Sequence, residues 1–315
     1  MDSILAIRQA VRPWLDCDRI LIAVSGGADS LALALGTFLE NKVRENPAEL
    51  FAVIINHNLQ EGSAEVASKT KELLKKIGYS NVTVISVDVA ITDGIEASAR
   101  RARYDALDKY ADSIDAERIF LGHTKDDLAE TVLLGLARGS GTRSLSGMAQ
   151  VVGKYVRPLL NIERRETEAA CTENKINYWS DPHNQDERFA RSRVRHHILP
   201  LLEEKLGPGI VDALARSSKI LREDADALDS IADEFVNKRD ALDVEELKAL
   251  PVAVRARVLR KLIYAAGAPS GSISADHLAP VEALITEWHG QGVTSLPGGV
   301  KVSRISGRLS LSTQG

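Results

Sequence analysis

Residues 19–34 read RILIAVSGGADSLALA, and this stretch decides the fold. The run from Ile20 to Val24 is short, apolar and rich in β-branched residues, which is typical of a buried parallel strand. Gly26 and Gly27 can adopt backbone angles closed to other residues, so their N–H groups can surround an oxyanion. A helix begins near Ser30, whose hydroxyl lies at the positive end of the helix dipole. The stretch predicts a strand, then a helix, and between them a phosphate-binding loop that comprises Ser25, Gly26, Gly27, Ala28, Asp29 and Ser30.

This loop differs from the commoner phosphate-binding motifs. The Walker pattern GxxxxGK[ST] is absent from the sequence, where the one Gly-Lys pair, Gly153-Lys154, precedes Tyr155. No GxGxxG motif follows a predicted strand, which argues against a dinucleotide-dependent oxidoreductase. The simpler interpretation is a glycine turn with Asp29 as a helix cap. Ser, Asp and Ser at these spacings after an apolar strand favour phosphate binding instead.

The composition is that of a globular protein. A chain of 315 residues with 44% hydrophobic and 27% charged residues predicts two domains. Cys17 and Cys171 are far apart and form no CxxC pair, which argues against a structural zinc site, an iron–sulfur cluster and a disulfide framework. The N-terminal MDSILAIRQAVRPWL predicts an amphipathic helix rather than a signal peptide, and no apolar run is long enough to span a bilayer. We therefore expect a cytoplasmic protein with no membrane contact.

The net charge of −4 conceals a basic region. Residues 138–198 contain eleven Lys and Arg against seven Asp and Glu, and residues 188–197 alone hold four arginines and two histidines. Binding of a polyanion depends on such local patches more than on net charge. Charge alone favours two interpretations of this segment equally, a surface that binds nucleic acid and a solvated helix face.

The first two hundred residues alternate between strand and helix patterns, which predicts a parallel sheet covered on both faces. In such a sheet, ligands bind at the carboxyl ends of the strands, where the strand order reverses. The loop after the first strand, His57 and His123 should therefore converge on one site. The further elements predicted here are strands at 51–57, 82–89 and 118–123, a fifth strand as an option at 155–160, and helices at 30–40, 63–77, 95–111 and 126–136.

The pattern changes around Leu206-Gly207-Pro208-Gly209. A long amphipathic helix over 210–237 follows, then helices at 251–265 and 275–287, and short strands close the chain. We predict two domains, 1–205 and 206–315. The fold class is α/β, a doubly wound parallel sheet followed by a mainly helical domain that ends in short strands.

A second informative stretch carries paired carboxylates. Asp127 and Glu130 are three residues apart, and Asp126 and Glu130 four apart, so their side chains can line one face in the first turns of a helix. The simpler interpretation is that carboxylates there complement the helix dipole. Because the helix leaves a strand end that should face the SGGADS loop, we favour a site for Mg²⁺ or for an ammonium group beside the phosphates. The Gly139-Ser140-Gly141 segment after this helix is either a flap or a simple helix terminator.

Other polar residues carry weaker information. Arg100 and Arg103 lie one turn apart on a predicted helix, where an isolated pair is more often a solvated face. His57 follows a strand, and a polar residue at that position needs no function.

Seven segments, in this order and spacing, resemble the tRNA(Ile)-lysidine synthetases of the PP-loop ATP-pyrophosphatase superfamily, whose fold is adenine nucleotide α-hydrolase-like. The closing LPGGVKVSRISGRLSL (296–311) is similar to the end of that family's middle domain, and the resemblance implies that a further C-terminal domain of longer members is absent. The seven segments are SGGADS (25–30), NHNLQ (56–60), EASARRARY (96–104), GHTKDDLAET (122–131), RGSG (138–141), RPLL (157–160) and WSDPHNQDERFARSRVRHHILP (179–200).

The resemblance implies a ligase reaction in two steps. ATP adenylates the C2 oxygen of the wobble cytidine in the CAU anticodon of a minor isoleucine tRNA and releases pyrophosphate. The ε-amine of free L-lysine then attacks C2, AMP leaves, and lysidine forms. ATP is thus a substrate, Mg²⁺ the implied cofactor and tRNA the partner. Oligomeric state is left open, with a homodimer as one option.

The resemblance also assigns roles to residues. The loop Ser25 to Ser30 and His57 would bind ATP, with Asp29 beside the reacting centre. Asp127 and Glu130 would hold the metal or the lysine amine, and Arg191 or Arg195 would stabilise the adenylate. The helical domain would contact a distal part of the tRNA. The catalytic set is Asp29, Asp127, Glu130 and Arg195, and the tRNA-binding set is Arg100, Arg103, Arg188, Arg191 and Arg193.

Three positions depart from the family pattern. His123-Thr124 replaces His-His, Gln60 replaces an arginine, and Arg191-Ser192 replaces Arg-Asn. None lies in the SGGADS loop or in the Asp127 and Glu130 pair, so activity is still expected. The alternatives are another PP-loop enzyme, such as a tRNA thiolase or a small-molecule amide ligase, and a non-catalytic tRNA- or nucleotide-binding module.

Overall fold

A computed structural model describes residues 2–57, 62–88, 95–139, 141–180, 186–238, 242–269 and 271–313. The chain divides into two compact units, Met1–Ile220 and Leu221–Gly315. The predicted boundary between residues 205 and 206 falls within the first unit and stays a prediction of where the domains divide.

The first unit alternates helices and strands, as the sequence pattern predicts. Its strands are β1 (Arg19–Ala23), β2 (Glu49–Asn56), β3 (Asn81–Ser86), β4 (Arg118–Leu121), β5 (Val151–Val152) and β6 (Tyr155–Val156). Its helices are α1 (Ser3–Val11), α2 (Ala28–Lys42), α3 (Ser63–Ile77), α4 (Ile95–Ser113), α5 (Lys125–Ala137), α6 (Thr142–Leu145), α7 (Arg164–Glu173), α8 (Ala190–Arg193) and α9 (Leu199–Leu206), and α10 (Ile210–Asn237) begins in its range. A π-helical segment, Val194–Ile198, joins α8 to α9.

The six strands form one sheet in the order β3-β2-β1-β4-β6-β5. All neighbours are parallel except β5 and β6, which form an antiparallel hairpin at the edge. Since β2 and β4 lie on opposite sides of β1, the strand order reverses at the carboxyl end of β1, where open α/β sheets bind ligands. The doubly wound sheet is therefore confirmed. Of the optional strand at 155–160, only Tyr155 and Val156 pair with β4.

Alternate side chains of β1 enter two separate cores, as expected for a strand covered on both faces. Ile20 and Ile22 pack in a core to which α1, α2 and α7 contribute. Leu21 packs on the opposite face with Leu107 and Ala111 of α4. The helix α2 is buried on nearly all sides, which explains why its sequence is apolar around its whole circumference.

The second unit has a core of its own, built from helices and a small sheet. The end of α10 is followed by α11 (Val244–Ala249), α12 (Val252–Ala265) and α13 (Ala275–Thr286), and then by strands β7 (Thr294–Ser295), β8 (Val300–Ile305) and β9 (Arg308–Thr313). The strands form an antiparallel sheet in the order β7-β8-β9. The prediction of a mainly helical region that ends in short strands is confirmed.

Across the ranges that the structure describes, no helix combines the length and the apolar character needed to cross a membrane.

Candidate nucleotide and carboxylate site

The loop between β1 and α2 is held by hydrogen bonds among its own residues. Ser30 Oγ accepts a hydrogen bond from the Ser25 N–H at 3.1 Å and donates one to the Gly27 carbonyl at 3.0 Å. Gly26 has φ +89°, a conformation that L side chains rarely adopt, and a Cβ there would lie 2.7 Å from Thr70 Oγ1. Gly27 instead has φ −78° and caps α2, so only the first glycine uses the expected conformational freedom.

Residues much later in the chain close over this loop. The Trp179 N–H donates a hydrogen bond to the Gly26 carbonyl at 2.9 Å, and the Cys171 thiol donates to the Ala28 carbonyl at 3.5 Å. The loop is therefore fixed from outside as well as from within.

A cavity of about 710 Å³ lies at the carboxyl ends of β1, β2 and β4. The residues that line it include many of the predicted site residues, so the expected convergence of the loop, His57 and His123 is observed. The predicted residues among them are Ser25, Gly27, Ala28, Asp29, Ser30, His57, Arg100, Arg103, Asp127, Arg191 and Arg195.

Glu130 lies fully buried at the centre of a cluster of guanidinium groups. Its Oε1 accepts hydrogen bonds from Arg195 Nε at 2.7 Å and Arg164 Nη1 at 3.3 Å. Its Oε2 accepts one from Arg195 Nη2 at 3.1 Å. Arg191 Nε also lies 3.1 Å from Oε2, although its N–H does not point at that oxygen. Three arginines therefore surround one buried carboxylate.

Asp127 shares two of these arginines. Its Oδ1 accepts hydrogen bonds from Arg164 Nη2 at 3.0 Å and Arg195 Nη2 at 3.2 Å. Its Oδ2 accepts from the N–H and the hydroxyl of Thr124, which caps α5. Burial alone would raise the pKa of Asp127, but Arg164, the Thr124 N–H and Arg195 together lower it below its ordinary value. Thr124, where the family pattern has histidine, thus orients this carboxylate.

Asp29 has a different environment. Its Oδ1 accepts a hydrogen bond from the Thr167 hydroxyl, and its Oδ2 lies 3.5 Å from Arg164 Nε. Burial raises the pKa of Asp29 to about 6, and Arg164 and Thr167 oppose that shift only in part. Asp29 is therefore a carboxyl group that changes protonation close to neutral pH.

Four ring or guanidinium nitrogens of residues that line the cavity have no hydrogen-bond partner within the described residues, namely His57 Nδ1, His123 Nδ1, Arg103 Nε and Arg191 Nε. Burial lowers the pKa of His57, and it lowers the pKa of His123 to about 3. Both imidazoles are therefore neutral at physiological pH, and each can accept or donate a hydrogen bond to a ligand.

The basic segment 188–197 divides between the cavity and the surface. Arg191 and Arg195 point to the cavity. Arg188 is exposed and forms an ion pair with Asp186 at 2.6 Å, whereas Arg193 donates to the carbonyls of Glu187 and Arg188. Arg100 Nη2 donates to the hydroxyl of Tyr104, and its guanidinium lies 4.9 Å from the centre of that ring.

The sequence interpretation missed the helix α7 and the two functional side chains that it brings to the site, Arg164 and Thr167. Arg164 is the first residue of α7, and its backbone N–H donates to Asp126 Oδ2 at 2.8 Å. The signal that could have located α7 is the capping box formed by Glu163 and Glu166.

In this arrangement a cation at Asp127 and Glu130, whether Mg²⁺ or an ammonium group, must displace groups that already bind these carboxylates. All four of their carboxylate oxygens already accept hydrogen bonds from Arg164, Arg195 or Thr124. No group of three or more His, Cys, Asp or Glu side chains in the described part of the chain could hold a metal ion.

Gln60 and Ser140, to which the sequence interpretation also refers, lie outside the described residues.

Two family models match the chain. A PP-loop domain matches residues 3–202, and a TilS substrate binding domain matches residues 242–310. The first match covers the sheet and the cavity, and the second falls within the second unit.

Curated proteins called tRNA(Ile)-lysidine synthase are similar over almost the whole chain. The Thermobifida fusca protein is 46% identical over 312 residues, 98% of this chain and 95% of that protein. The Streptomyces coelicolor protein is 47% identical over 92% of this chain and 84% of its own length. The Mycobacterium tuberculosis protein is 42% identical, and the match covers 91% of this chain and 87% of that protein.

A solved structure shares the fold. A U34-tRNA thiolase from Methanococcus maripaludis, determined with its [4Fe-4S] cluster, has a TM-score of 0.60 at 20% sequence identity. The match covers 70% of this chain and 79% of the thiolase.

Proposed function

Because this chain belongs to the tRNA(Ile)-lysidine synthase family, we propose that it joins L-lysine to C2 of the wobble cytidine in the CAU anticodon of a minor isoleucine tRNA. The observation that supports this most directly is the placement of the phosphate-type loop, with Asp29, and of Asp127 around one cavity.

The first step uses ATP at the loop Ser25 to Ser30. The C2 oxygen of the cytidine attacks the α-phosphorus of ATP, and the bond to pyrophosphate breaks. The free N–H groups at the start of α2 and its dipole stabilise the negative charge of the phosphates. Arg191 and Arg195, which line the same cavity, are the side chains proposed to stabilise the adenylate.

The second step uses lysine as the nucleophile. Its ε-amine attacks C2, the bond from C2 to the AMP oxygen breaks, and AMP leaves. Asp127 and Glu130 are proposed to hold the ammonium group before attack. The amine has a reference pKa of about 10.4, so its proton must be removed during the reaction. Asp29, with its pKa raised to about 6, suits the role of proton acceptor better than Asp127, whose pKa is lowered.

The remaining predicted roles concern the RNA. The anticodon base lies in a loop and can be splayed into a protein cavity without breaking a base pair. Arg100, Arg103 and Arg191 line the cavity and are proposed to contact the wobble nucleotide and its neighbours. Arg188 and Arg193 are proposed to contact phosphates outside the cavity, and the second unit a distal part of the tRNA.

Mg²⁺ is proposed to accompany the phosphates of ATP rather than to be held by Asp127 and Glu130. A cytoplasmic location follows from the proposed tRNA substrate. A homodimer stays a prediction.

The test combines purified protein, α-labelled ATP, Mg²⁺, ¹⁴C-lysine and an isoleucine tRNA transcript with a CAU anticodon. We expect lysine label in the RNA together with AMP and pyrophosphate, and none with a transcript whose wobble cytidine is uridine. AMP formation without lysine in the RNA would indicate another nucleophile. The absence of AMP would favour a non-catalytic tRNA-binding protein.

A further inference from the structure

The buried carboxylates meet arginines from two separate elements. Arg191 and Arg195 come from the segment 190–198. Arg164 comes from the first turn of α7, where the Asp126 carboxylate holds its N–H. A lysine ammonium that binds to Asp127 or Glu130 must therefore replace at least one guanidinium partner.

Arg164 differs from the other two arginines in also reaching the nucleotide loop. Its three nitrogens lie at 3.0 Å from Asp127, 3.3 Å from Glu130 and 3.5 Å from Asp29, the loop residue. Among the described ion pairs, neither Arg191 nor Arg195 contacts a residue of that loop. A shift of the Arg164 guanidinium towards the loop would bring it closer to phosphates and further from the carboxylates.

The charges make such a shift favourable only when a polyanion is present. Four carboxylates, those of Asp127, Glu130, Asp29 and Asp126, attract the Arg164 guanidinium group and hold it in place when no polyanion is present. The phosphates of ATP add several negative charges beside the loop, and they attract guanidinium groups strongly because the hydrogen bonds are charge-assisted.

We infer that Arg164 couples the two substrate sites, so that ATP draws its guanidinium away from Asp127 and Glu130 and thereby opens these carboxylates to the ammonium group of lysine. This inference rests on the proposed function. Lysine then binds tightly only after ATP, and the two ligands strengthen each other's binding by the same factor, since coupling between sites is reciprocal.

The experiment measures lysine affinity by calorimetry on the full chain, with and without an ATP analogue that carries a methylene group between the α and β phosphates. In the native protein we expect the analogue to tighten lysine binding by about tenfold or more, and lysine to tighten analogue binding by the same factor. Equal lysine affinity in both conditions would overturn the inference without any variant.

Arg164→Met tests the residue itself. Lysine no longer competes with Arg164 in this variant, so the coupling factor should fall several-fold towards one. The matched control is Arg165→Met, because Arg165 is the next residue, is 80% exposed and pairs with Glu163 instead. A coupling factor that persists unchanged in Arg164→Met would show that phosphate and ammonium attract each other directly, which would contradict the role of Arg164.

The lysidine assay separates this inference from the proposed function. If lysine enters the RNA but binds independently of the ATP analogue, the coupling is wrong and the proposed function stands. If no lysine enters the RNA, the proposed function itself fails.

Discussion

Gly122 faces Ser30 so closely that a Cβ built on Gly122 would lie 3.0 Å from both the N and the Cα of Ser30. The end of β4 and the start of α2 thus touch backbone to backbone, at the point where the strand order reverses. Because the atoms in the way belong to the main chain, they cannot move aside as the end of a flexible side chain could.

Gly122→Ala should therefore displace the nucleotide loop. We expect overpacking to lower the free energy of unfolding by about 1–3 kcal/mol. We also expect a misplaced loop to lower kcat/KM for ATP by roughly a hundredfold. Denaturant unfolding and AMP-release kinetics measure the two effects. Gly292→Ala is the control, since a Cβ at Gly292 meets nothing within 4 Å. Native kinetics in Gly122→Ala would show that the two backbones separate freely.

Glu130→Gln should be strongly destabilising. The Glu130 side chain has no exposed surface and pairs with Arg164, Arg191 and Arg195, so its loss leaves buried guanidinium groups without their counter-charge. We expect the free energy of unfolding to fall by about 3 kcal/mol or more. Glu234→Gln breaks an exposed pair with Lys238 and should leave chemical denaturation unchanged. Equal midpoints for both variants would contradict this role of the cluster.

Asp29→Asn should change how stability depends on pH. Burial raises the pKa of Asp29 from 3.8 to about 6, so the stability that this group contributes is complete below pH 3.8 and is lost as the pH rises through 6. The asparagine variant has no such loss. Its free energy of unfolding, relative to the native protein, should therefore rise by about 1–1.5 kcal/mol from about pH 5 to about pH 7.5.

Urea unfolding at several pH values checks this prediction. The control is Thr172→Ala, which removes an exposed hydroxyl bonded to the Glu168 carbonyl and no titratable group. Its difference from the native protein should be the same at every pH. A parallel trend in Asp29→Asn and Thr172→Ala would refute the assignment.

Arg188→Ala should weaken binding of tRNA without affecting the cavity. Arg188 is 84% exposed and pairs only with Asp186 among the described ion pairs, so a phosphate can replace that partner. We expect a loss of a few-fold in affinity, and a decrease of about one in the slope of log K against log salt concentration. Filter binding over a range of salt concentrations measures both. The control is Lys69→Ala, because Lys69 is an exposed residue of α3. If log K falls with log salt concentration at the same slope in both variants, Arg188 does not contact a phosphate.

The sequence predicts the sheet and the nucleotide loop well because both are local. Strand and helix periods are carried by neighbouring residues, and SGGADS specifies its own turn. The sequence also places Asp127 and Glu130 on one face of a helix that leaves a strand end, and of the two only Asp127 lines the cavity. Their roles in binding lysine stay predictions.

The arginine cluster could not be read from the sequence. Arg164 lies 37 positions from Asp127 along the chain, and no local pattern reports a contact at that separation. The helix α7 that carries it is short and rich in charge, so few apolar residues mark it as a helix. The interpretation of Asp127 and Glu130 as a site for Mg²⁺ or an ammonium group considered these two carboxylates alone, and the structure adds the guanidinium groups that either cation must displace.

The contacts that close over the nucleotide loop have a consequence for the order in which the protein matures on the ribosome. Gly26, Ala28 and Asp29 are each held by a residue between Arg164 and Trp179. Such distant contacts form late, because the intervening chain must first be made and brought together. A nascent chain that ends at Leu160 contains the complete SGGADS loop but none of the later residues that form these contacts with it. These contacts can therefore form only after more than half of the protein has been synthesised.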